Sequence, residues 1–332
     1  MDIGIDLGTA NMVVTMNDAG VILSEPSVVA YHKYKKEVVA IGRDAYNMIG
    51  RTPDYITIVK PLAEGVITDD GMAEVMIKAF ILKVLGNQPV KPRIALCVPS
   101  FITYIESRAV IEAAVSAGSR KVYLIQEPIA ALLGAGVDIS KPRGTMVVDI
   151  GGGTTDIAVV SLNGIVVSHS VTTAGNKFDQ AILKYISARH KLLIGERTAE
   201  NIKKKITNVY NPGVKRKMKI GGKNFFTGMP QSMEITELDV YIAIEEHLSD
   251  IVEAIRCVFE QTPPELIKDI YEDGIVLTGG GAHLGKLDMY IGAETGLKCR
   301  IAKDADSCVA LGTSMVYEKM DKLLDGFEHI RL

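Results

Sequence analysis

Two short stretches hold the residues whose types and spacing could do chemistry. One is Ile5-Asp6-Leu7-Gly8-Thr9-Ala10-Asn11, and the other is Val148-Asp149-Ile150-Gly151-Gly152-Gly153-Thr154-Thr155. Each is an apolar run that ends near an aspartate, turns through glycine and threonine, and resumes as a second β-rich run (Met12-Val13-Val14 and Asp156-Ile157-Ala158-Val159). That pattern is a β-hairpin. A lone Asp-x-Gly-Thr is a common turn, but two copies in one chain point to internal duplication. Glycine lets backbone N–H groups line a small anion-binding concavity, and threonine adds a hydroxyl donor. An aspartate at a strand end can hold water around Mg2+, which keeps several waters and takes few carboxylates. Two such turns could close on one nucleotide tail from opposite sides, with Asp6 and Asp149 sharing one cation.

A third glycine turn ends a later strand, Gly274-Ile275-Val276-Leu277-Thr278-Gly279-Gly280-Gly281-Ala282. Three strand-ending glycine turns in this order resemble the phosphate-1, phosphate-2 and adenosine motifs of the superfamily of actin, heat-shock chaperones and sugar kinases.

The elements that must position these turns follow from periodicity. Asp70-Gly71 opens a helix to about Leu85, apolar on several sides and therefore buried. Arg93 to Val98 is a continuous apolar strand of the kind found in a sheet covered on both faces. A helix from about Tyr104 to Ala117, a strand from Lys121 to Ile125 and a small-residue helix from Ile129 to Gly136 follow. Strand, helix, strand, helix implies a right-handed α/β layer structure. Lys141-Pro142-Arg143-Gly144 is the expected boundary, after which the order repeats. A helix from about Phe178 to His190 comes next. The stretch Ile235-Thr236-Glu237-Leu238-Asp239-Val240 then starts a long helix with a capping pair and a hydrophobic staple. Its apolar stripe to Phe259 reads as core, and Pro263-Pro264 ends it.

The 332 residues suffice for two or more domains with real cores. A net charge of -3 gives no global attraction to nucleic acid. Cys97, Cys257, Cys299 and Cys308 form no close pair, so reduced, buried thiols are expected. The chain shows no secretory signal and no apolar run long enough to span a membrane, and a cytoplasmic location is the expectation.

Several stretches resemble one branch of the superfamily more narrowly. They include Asp6-Leu7-Gly8-Thr9-Ala10-Asn11, Glu25-Pro26-Ser27-Val28-Val29-Ala30, Arg51-Thr52-Pro53, Gly195-Glu196-Arg197-Thr198-Ala199-Glu200 and Thr262-Pro263-Pro264-Glu265-Leu266. With the second glycine turn they are similar to the MreB family, the bacterial actins of rod-shape determination, nearly end to end. The resemblance implies an actin-like (duplicated, ribonuclease H-like) two-domain fold with four subdomains. Subdomain IA would take residues 1–30, 66–143 and 308–332, IB 31–65, IIA 144–175 and 245–307, and IIB 176–244. It implies ATP or ADP with Mg2+ in the interdomain cleft, polymerisation into antiparallel double filaments, and cell-shape or other cytoskeletal partners.

Residue roles carry over on the same resemblance. Asp6 and Asp149 match the acids that organise the metal. Gly8, Thr9, Ala10 and Asn11, with Gly151, Gly152, Gly153 and Thr154, match the phosphate loops, and Gly279, Gly280, Gly281 and Ala282 the adenosine motif. Gly175, Asp179, Ala199, Glu200 and Lys203 would complete the nucleotide site, although a solvated helix charge is an equal reading of Lys203. Glu127 and Thr154 match the pair that positions the attacking water, with Asp149 beside them. Phosphoryl transfer needs positioning and charge stabilisation more than covalent help, so a carboxylate and a hydroxyl suffice. The family's Glu-Glu-Pro is Gln126-Glu127-Pro128 here, which keeps the second acid and implies a slow ATPase.

Two departures concern the membrane. No N-terminal amphipathic helix of the family's kind is expected, since strand character begins almost at Met1, and the loop that otherwise inserts reads Gly86-Asn87-Gln88-Pro89-Val90-Lys91-Pro92, with only Val90 apolar. From Asn201 to Asn224, however, there are eight Lys/Arg and no acid: Lys203, Lys204, Lys205, Lys215, Arg216, Lys217, Lys219 and Lys223. Such a run is ordinarily a solvated face, and its alternative is an anionic membrane surface. Two other functions compete with a filament ATPase: a small-molecule kinase of the same superfamily, and a weakly hydrolysing nucleotide-dependent adaptor. An adaptor predicts loss of Glu127 or Thr154, and both are present.

Overall fold

The structure is a computed structural model and describes residues 2–16, 19–86, 91–100, 102–319 and 327–330. Duplication is visible in the strand order of its two large sheets. In the first, Asp2–Leu7, Asn11–Met16 and Gly20–Pro26 form an antiparallel meander. Arg93–Val98 and then Lys121–Gln126 add in parallel on the other side of Asp2–Leu7. The second sheet repeats this. Thr145–Ile150, Thr155–Ser161 and Gly164–Val171 form the meander, and Ile275–Thr278 and Cys299–Ile301 add in parallel. The first sheet has one further strand, Phe327–Ile330, antiparallel to Lys121–Gln126 at its edge.

Burial explains why these runs pair. Ile3, Ile5, Met12 and Val14 are buried, with Ile94 and Leu96 beside them. Strand Thr155–Ser161 is buried along its whole length, as a strand covered on both faces must be. Each sheet has its own core cluster. Small sheets complete the chain. Val29–His32 pairs with Glu37–Ile41 and with Ile56–Val59, and Leu192–Leu193 pairs with Lys217–Asn224, which pairs in turn with Pro230–Thr236.

The helices follow the expected periodicity, with shifts at their starts. Asp70–Leu85 begins where read, capped by the Asp69 side chain accepting from Met72 N–H at 3.0 Å. The capping box at Thr236 and Asp239 opens the long helix Glu237–Gln261. Such a cap contributes about 1 kcal/mol. The small-residue helix spans Glu127–Gly134, two residues earlier than read, because proline suits the first turn, where no partner for its missing N–H is needed. Gly175–His190 likewise starts three residues early. Pro264–Asp273 is a helix that was read only as the end of the preceding one, and its proline opens it.

Two helices join the sheets. Cys308–Lys319 packs on Asp2–Leu7 and Asn11–Met16, and Glu127–Gly134 packs on Thr145–Ile150 and Thr155–Ser161. They cross backbone to backbone. A Cβ at Gly134 would lie 1.8 Å from the Cys308 carbonyl oxygen, and one at Gly312 would lie 1.8 Å from that of Ala130. Only glycine fits such an approach. The crossing fixes Glu127, at the head of its helix, between the two sheets.

All four cysteines are free, Cys97 and Cys308 buried and Cys257 and Cys299 partly so. Among the described residues no helix is long and apolar enough to cross a membrane. Asn87, Gln88, Pro89 and Val90 of the expected insertion loop lie outside the described residues.

Candidate functional site

Both duplicated turns open into one cleft of about 510 Å³ between the sheets, within the usual range for a small-molecule site. The turns face each other closely. A Cβ at Gly152 would lie 2.5 Å from the Ala10 Cβ, and one at Gly153 would lie 2.6 Å from the Thr9 hydroxyl. Each turn is braced from behind. The Ser27 hydroxyl donates to the Gly8 carbonyl at 2.6 Å, and Ser27 N–H donates to the Ala10 carbonyl at 3.0 Å. Gly151 N–H donates to the Thr154 carbonyl at 2.9 Å. Helix Gly175–His190 starts against the second turn, with Gly175 and Asn176 N–H donating to Gly151 and Gly152 carbonyls at 3.2 and 2.8 Å. A helix N-terminus packed on a glycine turn favours an anion there.

The acids converge from both sheets. Asp6 and Asp149 line the cleft, and burial pushes the carboxyl of each up to about 7. Repulsion from Asp149 adds to the rise at Asp6. At Asp149 the Thr278 hydroxyl, donating at 2.7 Å, pulls the other way. Glu127 lines the same cleft, and burial raises its carboxyl well above its ordinary value, with Asp156, Asp149 and Asp6 adding to the rise. Asp156 stands opposite Asp149 in strand register, 1% exposed; burial raises its carboxyl, and Glu127, Ser170, Thr154 and the Ser100 N–H beside it pull the other way. Burial is the main cause of the raised value at each of these four carboxyls, and repulsion from a neighbouring acid adds to it at Asp6, Glu127 and Asp149. Buried charges need a compensating partner or give up their charge. Among the described residues no three acids, histidines or cysteines stand close enough to hold an ion by themselves, so the fit is that of Asp6 and Asp149 to a divalent cation that takes few carboxylates and completes its shell with water and phosphate oxygens.

At the other end, Lys203 is mostly buried. Its ammonium donates to the Gly175 carbonyl at 2.7 Å and to Asp179 at 2.8 Å. The second Asp179 oxygen is buried without a partner. Lys203 is therefore a cleft residue and not a solvated helix charge. Glu200 accepts from Lys204 at 2.6 Å and from the Tyr46 hydroxyl, which reaches it from across the cleft mouth. Arg197 lies over the Tyr46 ring at 5.1 Å, and Lys60 bonds Glu196 at 2.8 Å. These contacts tie helix Arg43–Met48 and the chain beyond it to helix Glu196–Ile206.

The cleft gathers Asp6, Gly8, Thr9, Ala10, Asn11, Glu127, Asp149, Gly151, Gly152, Gly153, Thr154, Gly175, Asp179, Glu200, Lys203, Gly279, Gly280 and Gly281. It does not gather Ala199 and Ala282, which are fully buried in the core behind it. Sequence reasoning missed Leu62, Gly65, Pro99, Asn176, His283 and Asp306 as lining, and Asp156 beside it. The apolar-flanked glycine of Leu62-Ala63-Glu64-Gly65-Val66 was the available signal for Gly65. The basic run divides. Lys203 enters the cleft, whereas Lys217, Lys219 and Lys223 lie at alternate positions of one strand and share its exposed face.

Comparison with known proteins agrees along the whole chain. The family described as MreB/Mbl protein matches residues 1–325. The chain is 46% identical over 323 residues to the cell shape-determining protein Mbl of Bacillus subtilis, covering 97% of each. It is 44% identical over 326 residues to the cell shape-determining protein MreB of Escherichia coli, covering 96% of this chain and 94% of that one. Among solved structures, MreB 5 of Spiroplasma citri bound to AMPPNP superposes with a TM-score of 0.90 at 35% identity, covering 96% of both chains. A MamK double helical filament, at 24% identity and a TM-score of 0.81, shares the actin-like fold. With a family match over nearly its full length and relatives this similar, the chain belongs to the MreB/Mbl family.

Proposed function

We propose that this chain is a nucleotide-dependent cytoskeletal protein that binds ATP and ADP in the cleft, hydrolyses ATP slowly, assembles with copies of itself and governs cell shape. The observation that carries the reading is the meeting of two duplicated glycine turns, one from each sheet, over a cluster of buried carboxylates. The Bacillus and Escherichia relatives are cell shape-determining proteins, and the Spiroplasma relative has been seen with AMPPNP and with ADP.

In this reading the turns at Gly8–Asn11 and Gly151–Thr154 donate backbone N–H groups to the phosphates. Asp6 and Asp149 would hold Mg2+, and the ion would supply charge neutralisation at the phosphate oxygens. Glu127 and Thr154 orient a water in line with the terminal phosphate. Lys203, Asp179, Glu200 and the Gly279–Gly281 turn receive the adenosine end. The four-subdomain division, antiparallel double filaments and a cytoplasmic site at the inner membrane face are parts of the same proposal. The shared lysine face of strand Lys217–Asn224 is the feature that favours an anionic surface.

The deciding experiment is sedimentation of the purified chain with Mg2+-ATP, with phosphate release measured in parallel. ATP-dependent pelleting with slow turnover is expected. A chain that stays monomeric while phosphorylating a small acceptor would replace the reading with that of a kinase.

A further inference from the structure

We propose that the turn at Glu64–Gly65 positions Thr154, and that it is a working wall of the phosphate pocket. The proposal rests on the ATPase reading for its kinetic consequence and on nucleotide binding for the rest. The turn caps a two-stranded hairpin, Leu62–Ala63 with Val66–Ile67. Both tip residues have left-handed backbones, with φ of 51° at Glu64 and 78° at Gly65, which suits a tight hairpin turn. The base is tied shut. Thr68 N–H donates to the Pro61 carbonyl at 2.9 Å, and the Thr68 hydroxyl donates to the Lys60 carbonyl at 3.1 Å.

The tip is wedged against both phosphate turns. A Cβ at Gly65 would stand 2.7 Å from the Thr154 methyl carbon. Gly65 N–H donates to the Thr9 hydroxyl at 3.4 Å. A Cβ at Gly153 would stand 2.9 Å from the Glu64 nitrogen. Lys60, at the base of the hairpin, is held from the far side of the cleft by Glu196. Position 65 therefore excludes a side chain twice, by its backbone angle and by lack of room. The excluded volume belongs to Thr154, so any shift of the turn moves the Thr154 side chain. A group that orders an attacking water must be held within a few tenths of an ångström by its supports, and misplacement by about 1 Å costs about a hundredfold in rate.

The test is a double-mutant cycle on the full chain with Gly65→Ala and Thr154→Ser. Serine deletes the methyl that the alanine Cβ would strike. Two quantities are read: kcat for ATP hydrolysis, and the ratio of ADP to AMPPNP dissociation constants. Gly65→Ala should lower kcat by at least about tenfold and reduce the preference for AMPPNP by at least about threefold, with ADP affinity nearly unchanged. The double variant should lose less than the product of the single losses by at least about threefold in both quantities. Losses that simply multiply, or wild-type values for Gly65→Ala, would overturn the proposal. Should Gly65→Ala not fold, Thr68→Val loosens the hairpin base from outside the pocket. It should lower kcat and the AMPPNP preference by about threefold, and unchanged values would overturn the proposal equally. A wild-type chain that binds both nucleotides without turnover would sink the ATPase reading alone, because the binding ratios still decide the role of the turn.

Discussion

Removing one charge from the acid cluster should stabilise the ligand-free protein while damaging metal-dependent nucleotide binding. Asp149→Asn is the perturbation to make. Asp149 is 5% exposed, and burial pushes its carboxyl from 3.8 up to about 7. Between those values the folded chain holds a proton that the unfolded chain has released. Stability is therefore lost as pH rises through that window, and the full penalty stands above about pH 7. A rise of about three units at 1.36 kcal/mol per unit sets a ceiling of about 4 kcal/mol. Relaxation and water entry lower this to roughly 1–3 kcal/mol, in keeping with the effective dielectric of buried sites. For a chain of 332 residues that is a rise of roughly 1–4 °C in Tm. Asparagine keeps an oxygen for the Thr278 hydroxyl, which donates to Asp149 at 2.7 Å, so the local packing survives. The assay is thermal unfolding in a chelator, at about pH 8 and about pH 4.5, with and without Mg2+-ATP. The variant should gain most at the higher pH and little at the lower, and Mg2+-ATP should reverse the order of the two proteins. An Asn variant less stable than wild type at about pH 8 without ligand, or a gain independent of pH, would refute the argument.

Other predictions test other parts of the molecule. Glu127→Ala should cut phosphate release by one to three orders of magnitude, roughly the loss of one positioned group, with ADP binding retained; unchanged turnover would remove Glu127 from catalysis. Tyr46→Phe deletes the hydroxyl that bonds Glu200 across the cleft mouth and should speed release of a fluorescent ADP by about threefold to tenfold, the worth of one hydrogen bond. An unchanged rate would show that the cleft opens elsewhere. The Arg93 guanidinium beside Asp2 holds that carboxyl below its ordinary value, so its contribution to stability is present above about pH 4 and lost as pH falls through the lowered value. Arg93→Met should flatten the acid limb of a urea-midpoint profile, and an unaltered limb would show the pair to be neutral for stability. Binding to anionic liposomes should fall steeply between low and physiological salt and should be lost when Lys217, Lys219 and Lys223 are all changed to Gln, at about 1 kcal/mol for each lysine that reaches the surface. Salt-insensitive binding in a co-sedimentation series would point to an apolar anchor instead.

Much of the fold was readable because its elements are locally determined. Asp69 and Thr236 are caps whose partners lie three residues away, and the helix starts read at Asp70 and at Thr236 agree with the structure. The two Asp-x-Gly hairpins are local as well, and once both were seen the repeated strand order followed from the duplication. What the sequence hid depends on contacts far apart in the chain. Gly134 and Gly312 read as two unremarked small residues, yet their close crossing sets the position of Glu127. The early start of Glu127–Gly134 has the same character. Proline immediately before the apolar run reads as a break, and its fit to a first turn is seen once the preceding strand is known to end at Gln126.

The basic run shows why composition alone misplaces charge. Eight cations without an acid read as one feature in sequence, but the folded chain gives them different physics. Lys203 sits on a helix whose buried face includes Ala199, Ile202 and Ile206, and it is drawn into the cleft by Asp179 from another helix. Its charge is taken up by Asp179 and the Gly175 carbonyl and is unavailable to a surface. Lys204, one position along, stands exposed at the cleft rim and pairs with Glu200 four residues back, where solvent weakens the pair. Only after the chain enters strand Lys217–Asn224 does a period of two bring Lys217, Lys219 and Lys223 onto a common exposed face, while Ile220 points to the core. Lys217 is the partial exception, with Glu234 of the paired strand 4.0 Å away. Beyond the strand, Phe225 and Phe226 stand exposed at the hairpin turn, an apolar feature that the count of cations had obscured. A surface that meets this hairpin therefore meets a few lysines and two aromatic rings, and not the eight charges of the run.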